Sequence, residues 1–477
     1  MLCKDFKYKG LLDYFKIISD IPRPSYHEEG IADYLCDFAN QRGLEYYRDE
    51  AHNVLIKKQG SVGRENDDAV LLQGHTDMVC EKNDGTEHDF LRDGLELYEE
   101  SGWLRARGTT LGADNGVAVA AMLYILDGAL DSHPPVECLF TSAEEVGLDG
   151  AKNFDYSKIS ARQMINMDSA DESQIICGCA GGQRVTLKYS LYSQAPKEFG
   201  VRITLKGLAG GHSGEDIHRG RANANKLMGR VLCAVWNEQK FNLISINGGS
   251  KDNAIPRECV AELCVSDAQS VISLIDKCSQ EISLELGYDD KGFEVVTEQF
   301  SLEGNKIISF EQTEKIIFFI NTVQNGVIEM NRDIPELVDF SRNLGIVKSE
   351  SDSISFTFMS RSPKKTQIVA SGQQLSGYAR ILEMSMHIES EYPGWDFSPV
   401  SHIREKYAQS YRELYGKEPT VIAIHAGLEC GIIKEKLPDM DIISCGPVIL
   451  NLHSPDEALN IESFEKFFTV IKNTLKK

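Results

Sequence analysis

The fold is decided by the stretch AVLLQGHTD, residues 69–77, where an apolar run gives way at once to ionisable side chains. Ala69 to Gln73 are uncharged and mostly aliphatic, which predicts a buried strand that ends just before His75 and Asp77. In open α/β sheets, ligands bind beyond the carboxyl ends of the strands. The stretch therefore predicts an α/β fold with a histidine and a carboxylate at the functional edge of its sheet.

Two further strands are predicted to end in the same way. Val136 to Thr141 are followed shortly by Glu144 and Glu145, and Gln163 to Met167 are followed directly by Asp168. Because each apolar run stops at ionisable residues, we expect these carboxylates and the histidine to converge at one edge of the sheet.

Helical patterns lie between the predicted strands. The apolar run from Val117 to Leu126 has the length of a buried helix and follows the loop that contains Asp114. Ahead of an earlier helical pattern, Ser25 and Glu28 fit a capping box. This alternation is typical of a sheet whose faces are covered by helices.

The pattern changes after about residue 184. Stretches such as Val201 to Lys206 alternate apolar and polar residues like the strands of a half-exposed sheet, and α/β character returns after residue 390. We therefore predict a catalytic domain in two segments, residues 1–183 and 391–477, with a mixed sheet covered by helices. An α+β domain at residues 184–390 would be inserted between them.

Composition and charge exclude several classes of function. The chain has 477 residues, of which 42% are hydrophobic and 26% charged, with a formal net charge of −22. This charge repels phosphate backbones and anionic membrane surfaces. The apolar runs are too short to cross a bilayer, and the N-terminus lacks an apolar signal core. We expect no nucleic-acid partner, no membrane association, a cytoplasmic location and reduced cysteines.

Five of the ionisable side chains have the chemistry of metal ligands. Singly, each has an ordinary structural interpretation, such as a turn aspartate or a solvated glutamate. Grouped together, they would repel or desolvate one another unless cations held them. If one aspartate bridges two ions, each ion has three protein ligands, which is the catalytic zinc pattern, and two such ions can activate a shared water. The predicted ligands are His75, Asp114, Glu145, Asp168 and His453.

An ordered set of short motifs covers nearly the whole chain. Five of them are GHTDM (74–78), GADNG (112–116), EEVG (144–147), NMD (166–168) and HSP (453–455). These resemble the co-catalytic zinc peptidases, the family that includes aminoacylase, glutamate carboxypeptidase and carnosinase. Four more indicate a bacterial cytosolic subgroup of that family, namely IPRPS (21–25), GGHSG (210–214), DNAIP (252–256) and HAGLECG (425–431).

The resemblance implies a role for each metal-site residue. One ion would be held by His75 and Asp168 and the other by Glu145 and His453, with Asp114 shared and its link to Asn115 in the cis form. Zinc is the expected metal, with cobalt or manganese as alternatives. Asp77 would accept the second imidazole N–H of His75, and Glu144 would act as general base, taking a proton from the water and passing it to the leaving amine.

The resemblance also assigns substrate-binding residues, because the inserted domain is similar to the family's lid. His212 would stabilise the tetrahedral oxyanion, with His218 as the rival. Asn253 would lie near the substrate, Arg361 would clamp its C-terminal carboxylate, and Gly427 would allow the backbone to approach it. Many relatives carry a Gly-Gly-Thr type loop where this chain has His-Ala-Gly at residues 425–427. A homodimer is a further expectation from the family.

Together these observations predict a metallopeptidase that hydrolyses unblocked dipeptides, with a preference for histidine at the C-terminal position. Because the scaffold alone does not choose the substrate, a tripeptidase and an N-acyl amino acid deacylase remain alternatives. From other classes, the alternatives are a zinc-binding protein that has lost turnover and a metal-free binding protein with an acidic cleft.

Overall fold

The computed structural model of the protein describes residues 6–194, 199–302, 306–332, 334 and 336–477. The α-helices of this part of the chain are α1 (Lys9–Ser19), α2 (Glu29–Arg42), α3 (Ala113–Leu126), α4 (Asp149–Asn153), α5 (Ala224–Glu238), α6 (Ala268–Glu285), α7 (Phe310–Thr322), α8 (Lys365–Leu382), α9 (His402–Tyr415), α10 (Glu429–Lys436) and α11 (Ile461–Lys476). Short 3-10 helices lie at Tyr156–Lys158, Ile217–Arg219 and Tyr288–Asp290.

The strands are numbered in the same way along the chain. They are β1 (Glu45–Arg48), β2 (Val54–Lys58), β3 (Val70–His75), β4 (Leu97–Glu100), β5 (Trp103–Ala106), β6 (Val136–Thr141), β7 (Gln163–Asn166), β8 (Gln174–Cys179), β9 (Gly181–Ser190), β10 (Ser193–Gln194), β11 (Phe199–Lys206), β12 (Gly211–His212), β13 (Asn242–Gly248), β14 (Ala254–Ile255), β15 (Cys259–Val265), β16 (Glu294–Phe300), β17 (Ile307–Ile308), β18 (Gly326–Met330), β19 (Val338–Ser349), β20 (Ser353–Ser362), β21 (Ser385–Tyr392), β22 (Thr420–Ile424), β23 (Asp441–Ser444), β24 (Ile449–Leu450) and β25 (Ala458–Asn460).

The chain divides into two compact units. The first comprises Met1–Cys179, Trp395–Ala423 and Leu428–Lys477, and the second comprises Ala180–Gly394 and Ile424–Gly427. The domain boundaries predicted from the sequence lie at 183/184 and 390/391. Each is four residues from a division between the two units, at 179/180 and 394/395. The sequence contains no signal for the short return at Ile424–Gly427.

An eight-stranded sheet forms the centre of the first unit, in the order β1-β2-β6-β3-β7-β23-β8-β22. β3 runs parallel to β6 and β7, and β23 runs parallel to β7. β1 pairs with β2, β2 with β6, and β8 with β23 in the antiparallel direction. The predicted α/β fold with a mixed sheet is therefore confirmed, and the carboxyl ends of β6, β3 and β7 meet at one edge.

The central strands are covered closely by helices. Every residue of β3 and β6 is buried, as expected for strands covered on both faces. A side chain at Gly74 would place its Cβ 2.4 Å from the Cβ of Ala118 in α3, so only glycine lets this helix approach β3 so closely. This approach brings the start of α3 beside the end of β3.

The second unit is built on antiparallel strands. Its large sheet has the order β16-β11-β15-β13-β19-β20-β9-β21, with β18 paired to β19. The apolar core of the unit includes residues of this sheet and of α5, α6, α7 and α8.

Two further observations concern the cysteines and the possibility of a membrane-spanning helix. The cysteines within the described residues are free. Among those residues, no helix combines the length and the apolar composition that a membrane span requires.

Candidate metal centre

Five ionisable side chains come together at the carboxyl edge of the parallel strands in the first unit. His75 is the last residue of β3, Glu145 lies in the turn after β6, and Asp168 lies just beyond β7. Asp114 lies at the start of α3, where the Asp114–Asn115 peptide bond is cis, as the resemblance implied. His453 lies between β24 and β25.

The first group of donor atoms surrounds His75, a side chain that is 1% exposed. Its Nε2 lies 2.9 Å from Asp114 Oδ1 and 3.8 Å from Asp168 Oδ1. Its Nδ1 lies 3.1 Å from the carbonyl oxygen of Asp77. Because a carbonyl oxygen only accepts, this contact assigns a ring hydrogen to Nδ1 and points Nε2 toward the two carboxylates.

The second group surrounds His453. Its Nε2 lies 3.2 Å from Asp114 Oδ2 and 3.2 Å from Glu145 Oε1. Glu145 Oε1 is buried, and no group among the described residues forms a hydrogen bond with it. The two oxygens of Asp114 therefore face two different histidines, which is the arrangement of a carboxylate that bridges two cations.

The two donor sets fit divalent metal ions. The ligand atoms of His75, Asp114 and Asp168 lie within 4.8 Å of one another, and so do those of Asp114, Glu145 and His453. Nitrogen and oxygen ligands about 2.1 Å from a tetrahedral zinc are about 3.4 Å apart. The separations of 2.9 to 3.8 Å bracket that value. The structure thus brings the five predicted ligands into two groups of three that share Asp114.

Burial and mutual repulsion shift the pKa values of this cluster. Burial and the charge of Asp114 raise the pKa of Asp168 to about 8. Contacts with Asp114 and Glu145 raise the pKa of His453 to about 10. Since neighbouring buried carboxylates oppose each other's ionisation, bound cations would relieve the conflict.

Glu144 is close to both histidine and carboxylate ligands without belonging to either group of three. Its carboxylate lies within 4.8 Å of the ligand atoms of His75 and Glu145. Burial raises the pKa of Glu144 well above its ordinary value, and the charge of His75 opposes the rise. A carboxyl group in this position, beside two predicted ligands, is placed to accept and return a proton.

Asp77 fixes the turn that carries the two glutamates. Its buried carboxylate accepts the backbone N–H groups of Glu144 at 3.0 Å and Glu145 at 3.2 Å, and the hydroxyl of Ser25 at 2.7 Å. The resemblance predicted that this carboxylate accepts the imidazole N–H of His75. The carbonyl oxygen of Asp77 is the nearer acceptor, at 3.1 Å from Nδ1, and carboxylate Oδ1 lies at 3.4 Å.

The predicted capping box at Ser25 and Glu28 is wrong. Helix α2 begins at Glu29, and no side chain caps it. Ser25 instead donates to Asp77, and Glu28 Oε1 accepts the N–H of Ala143 at 2.8 Å. Ala143 has a φ of 47°, in the left-handed region, so the bond from Glu28 helps to hold a strained turn beside Glu144.

Glu457 fixes the loop before Asp114, and the sequence gave no signal of this role. Its carboxylate is buried, and it accepts four consecutive backbone N–H groups. On the other side, buried Arg23 donates to the carbonyl oxygen of Gly112 at 2.7 Å. Asp114 thus follows a loop that is held from both sides.

The second unit contains the four predicted substrate-binding residues. His212 pairs with Ala254 across the β12–β14 ladder, and the N–H of Ser213 donates to the carbonyl oxygen of Asn253 at 2.8 Å. The ladder therefore places His212 and Asn253 side by side. The rival, His218, is exposed on a short 3-10 helix.

Arg361 and Gly427 both contact Tyr392 within this unit. Arg361, on β20, is 4% exposed and donates to the Tyr392 hydroxyl at 2.7 Å. Burial lowers the pKa of His212, and the charge of Arg361 lowers it further. A Cβ at Gly427 would lie 2.8 Å from the Tyr392 ring, so the close approach at this glycine is to a protein side chain.

Known proteins share the fold and the length of the chain. The cytosol non-specific dipeptidase of Escherichia coli strain K12 is 38% identical over 476 residues, which cover 98% of this chain and 97% of that protein. The crystal structure of aminoacylhistidine dipeptidase from Vibrio alginolyticus matches with a TM-score of 0.92 at 34% identity, covering 99% of this chain and 97% of that one.

More distant structures share the fold alone. A tripeptidase from Staphylococcus aureus matches with a TM-score of 0.56 at 15% identity over 99% of this chain and 98% of that one.

Residues 71–477 match the family described as Peptidase family M20/M25/M40. That match and the 38% identity to a full-length dipeptidase identify a hydrolase of peptide bonds. The chain belongs to peptidase family M20/M25/M40.

Proposed function

We propose that the protein is a dipeptidase that hydrolyses unblocked dipeptides with the help of two divalent metal ions and favours histidine at the C-terminal position. The observation that carries the proposal is Asp114, whose two carboxylate oxygens lie 2.9 Å from His75 and 3.2 Å from His453. The relatives support the substrate class, because one is named a non-specific dipeptidase and the other an aminoacylhistidine dipeptidase.

One ion would be held by His75, Asp114 and Asp168, and the other by Asp114, Glu145 and His453. Zinc suits these nitrogen and oxygen donors, and cobalt or manganese are the alternatives. Two such ions supply Lewis acidity to the scissile carbonyl and to the attacking water.

Glu144 is the general base. The bond from its N–H to Asp77 holds its backbone, and burial raises the pKa of its carboxyl group. It removes a proton from the attacking water and delivers that proton to the nitrogen of the leaving amine. An inactive zinc-binding protein has no use for this extra buried carboxylate, which favours an enzyme.

The substrate-binding roles follow the resemblance. Arg361 would form two parallel hydrogen bonds with the C-terminal carboxylate of the dipeptide, and His212 would stabilise the oxyanion. Asn253 and Gly427 would line the same pocket. Binding of both charged ends of a dipeptide orients its scissile bond, so longer peptides are expected to be poorer substrates.

The cellular setting is proposed on similar grounds. The name of the relative from E. coli supports a cytoplasmic location. The homodimer rests on the resemblance to the family.

A substrate panel with and without chelator tests the function. It compares Xaa-His dipeptides, other dipeptides, tripeptides and N-acyl amino acids. We expect metal-dependent hydrolysis of unblocked dipeptides, fastest for Xaa-His. Preferred hydrolysis of tripeptides or of acylated amino acids would instead assign the protein to one of the two enzymatic alternatives, and full activity after metal removal would refute the metal centre.

A further inference from the structure

A buried glutamate that the proposed chemistry does not use lies in the first unit. Glu429, the first residue of α10, is completely buried. Its Oε2 accepts hydrogen bonds from the Gln73 side-chain amide at 2.5 Å and from the Thr141 hydroxyl at 2.8 Å. Its Oε1 is buried and has no hydrogen-bond partner in the described part of the chain. Because burying a partly satisfied carboxylate is unfavourable, stability alone does not explain an acid at this position.

The partners of Glu429 belong to a continuous buried network. The Gln73 amide nitrogen also donates to Thr141 at 3.1 Å, and its oxygen accepts from the Asn166 amide at 2.6 Å. All four side chains are 0% exposed. Gln73, Thr141 and Asn166 lie on β3, β6 and β7, which are adjacent parallel strands.

The three members of the network that lie on strands each come just before residues of the candidate metal centre. Gln73 is two residues before His75, and Asn166 is two residues before Asp168. Thr141 is the last residue of β6, directly before the turn that holds the two glutamates. Residues two apart on a strand point to the same face, so a shift of Gln73 passes directly to His75.

We propose that Glu429 is a positioning residue that clamps the carboxyl ends of β3, β6 and β7 together and so sets the spacing of the metal ligands. The inference rests on the proposed function, because it assumes that these ligands bind metal. The clamp acts through one carboxylate oxygen that receives hydrogen bonds from two strands, and Gln73 extends it to the third strand.

The test measures the affinity of the purified protein for zinc by competition with a chromophoric chelator. Glu429→Ala removes the acceptor and is expected to weaken the binding of at least one ion by about 10- to 100-fold. Glu429→Gln keeps an oxygen in the place of Oε2, so its affinity should stay within about threefold of the wild type. The visible spectrum of the cobalt-loaded protein should change in the alanine variant and stay unchanged in the glutamine variant.

Glu137 provides a matched control. It is a buried glutamate on β6 that accepts the N–H groups of Ser160 and Ala161, near the opposite end of the strand. Glu137→Ala should lower the Tm without changing zinc affinity. If Glu429→Ala does not fold, Gln73→Met cuts the same network and should weaken zinc binding similarly.

The outcomes separate the inference from the proposed function. Wild-type zinc affinity in Glu429→Ala would overturn the clamp, and so would a loss in Glu429→Gln as large as that in Glu429→Ala. A wild-type protein that binds no divalent ion would overturn the proposed function itself.

Discussion

Replacing Glu457 by glutamine is a sharp test of how the Asp114 loop is held. Oε2 of Glu457 accepts the N–H groups of Leu111 at 2.8 Å and Gly112 at 2.9 Å, and Oε1 accepts those of Ala113 at 2.9 Å and Asp114 at 3.3 Å. A glutamine has one acceptor oxygen. In either orientation its NH₂ group would face two of the four backbone N–H donors.

The expected loss in the free energy of unfolding follows from the two backbone N–H donors that lose their acceptor. A buried donor left unsatisfied costs about 1–3 kcal/mol, so Glu457→Gln should lower the free energy of unfolding by about 2–6 kcal/mol. For a unit of this size, each kcal/mol corresponds to about 2–4 °C in Tm. We therefore expect the Tm to fall by roughly 4–24 °C, and to fall further in Glu457→Ala, which leaves all four donors without an acceptor.

Calorimetry and zinc competition together provide the assay. Because the loop leads directly to Asp114, which we propose bridges the two ions, its displacement should also weaken metal binding by about 10- to 100-fold. Asp456→Asn is the control, since this exposed neighbour loses the same charge, and its Tm should change by less than about 1 °C.

Either of two results would refute this reasoning. If Glu457→Gln matches the wild type in both Tm and zinc affinity, the four hydrogen bonds do not fix the loop. A loss of Tm in Asp456→Asn as large as that in Glu457→Gln would point to net charge as the cause, and would equally remove the argument from hydrogen bonds.

Three other changes test the proposed roles. Glu144→Gln should keep its bound metal and lose about 10²- to 10⁴-fold in kcat, measured by dipeptide hydrolysis beside metal analysis. Arg361→Lys should raise the KM for dipeptides strongly and lower the Tm only slightly, because lysine lacks the two-pronged geometry that binds a carboxylate. An unchanged KM would contradict the role of Arg361 as the carboxylate clamp. Removing metal with a chelator should lower the Tm, and adding zinc back at about 100 times its Kd should restore about 2.7 kcal/mol of stability; an unaltered Tm would speak against metal bound to the native fold.

The sequence predicted that the five side chains would meet, and for the residues that follow strands the prediction rests on a local signal. An apolar strand that stops at ionisable residues is visible within a few positions, as at His75 and Asp168, and the parallel sheet then brings those ends together. The sequence placed His75 just beyond its strand, whereas the residue is the last in β3. Boundaries of this kind depend on hydrogen bonds with neighbouring strands, which the local pattern does not contain.

The supporting residues were missed for a different physical reason. Glu429 begins a helix and Glu457 lies in a polar loop, where a glutamate ordinarily faces water. Their burial arises from partners 356 and 343–346 residues away along the chain. Ser25 and Glu28 were misjudged in the same way. A short motif favoured a helix cap, but the Ser25 hydroxyl donates to the distant Asp77 carboxylate, and Glu28 accepts the distant backbone N–H of Ala143.

The buried carboxylates that are not predicted ligands hold the ligand loops in place. Asp77 and Glu28 accept backbone N–H groups of the turn after β6, and Glu457 accepts those of the loop before α3. A carboxylate that accepts backbone N–H groups orients a loop without placing a positively charged side chain near the centre. The site therefore keeps the strong negative charge that attracts divalent ions. None of these hydrogen bonds uses the side chain of a predicted ligand. The backbone of the ligand loops is therefore held by groups other than those that would bind the metal ions.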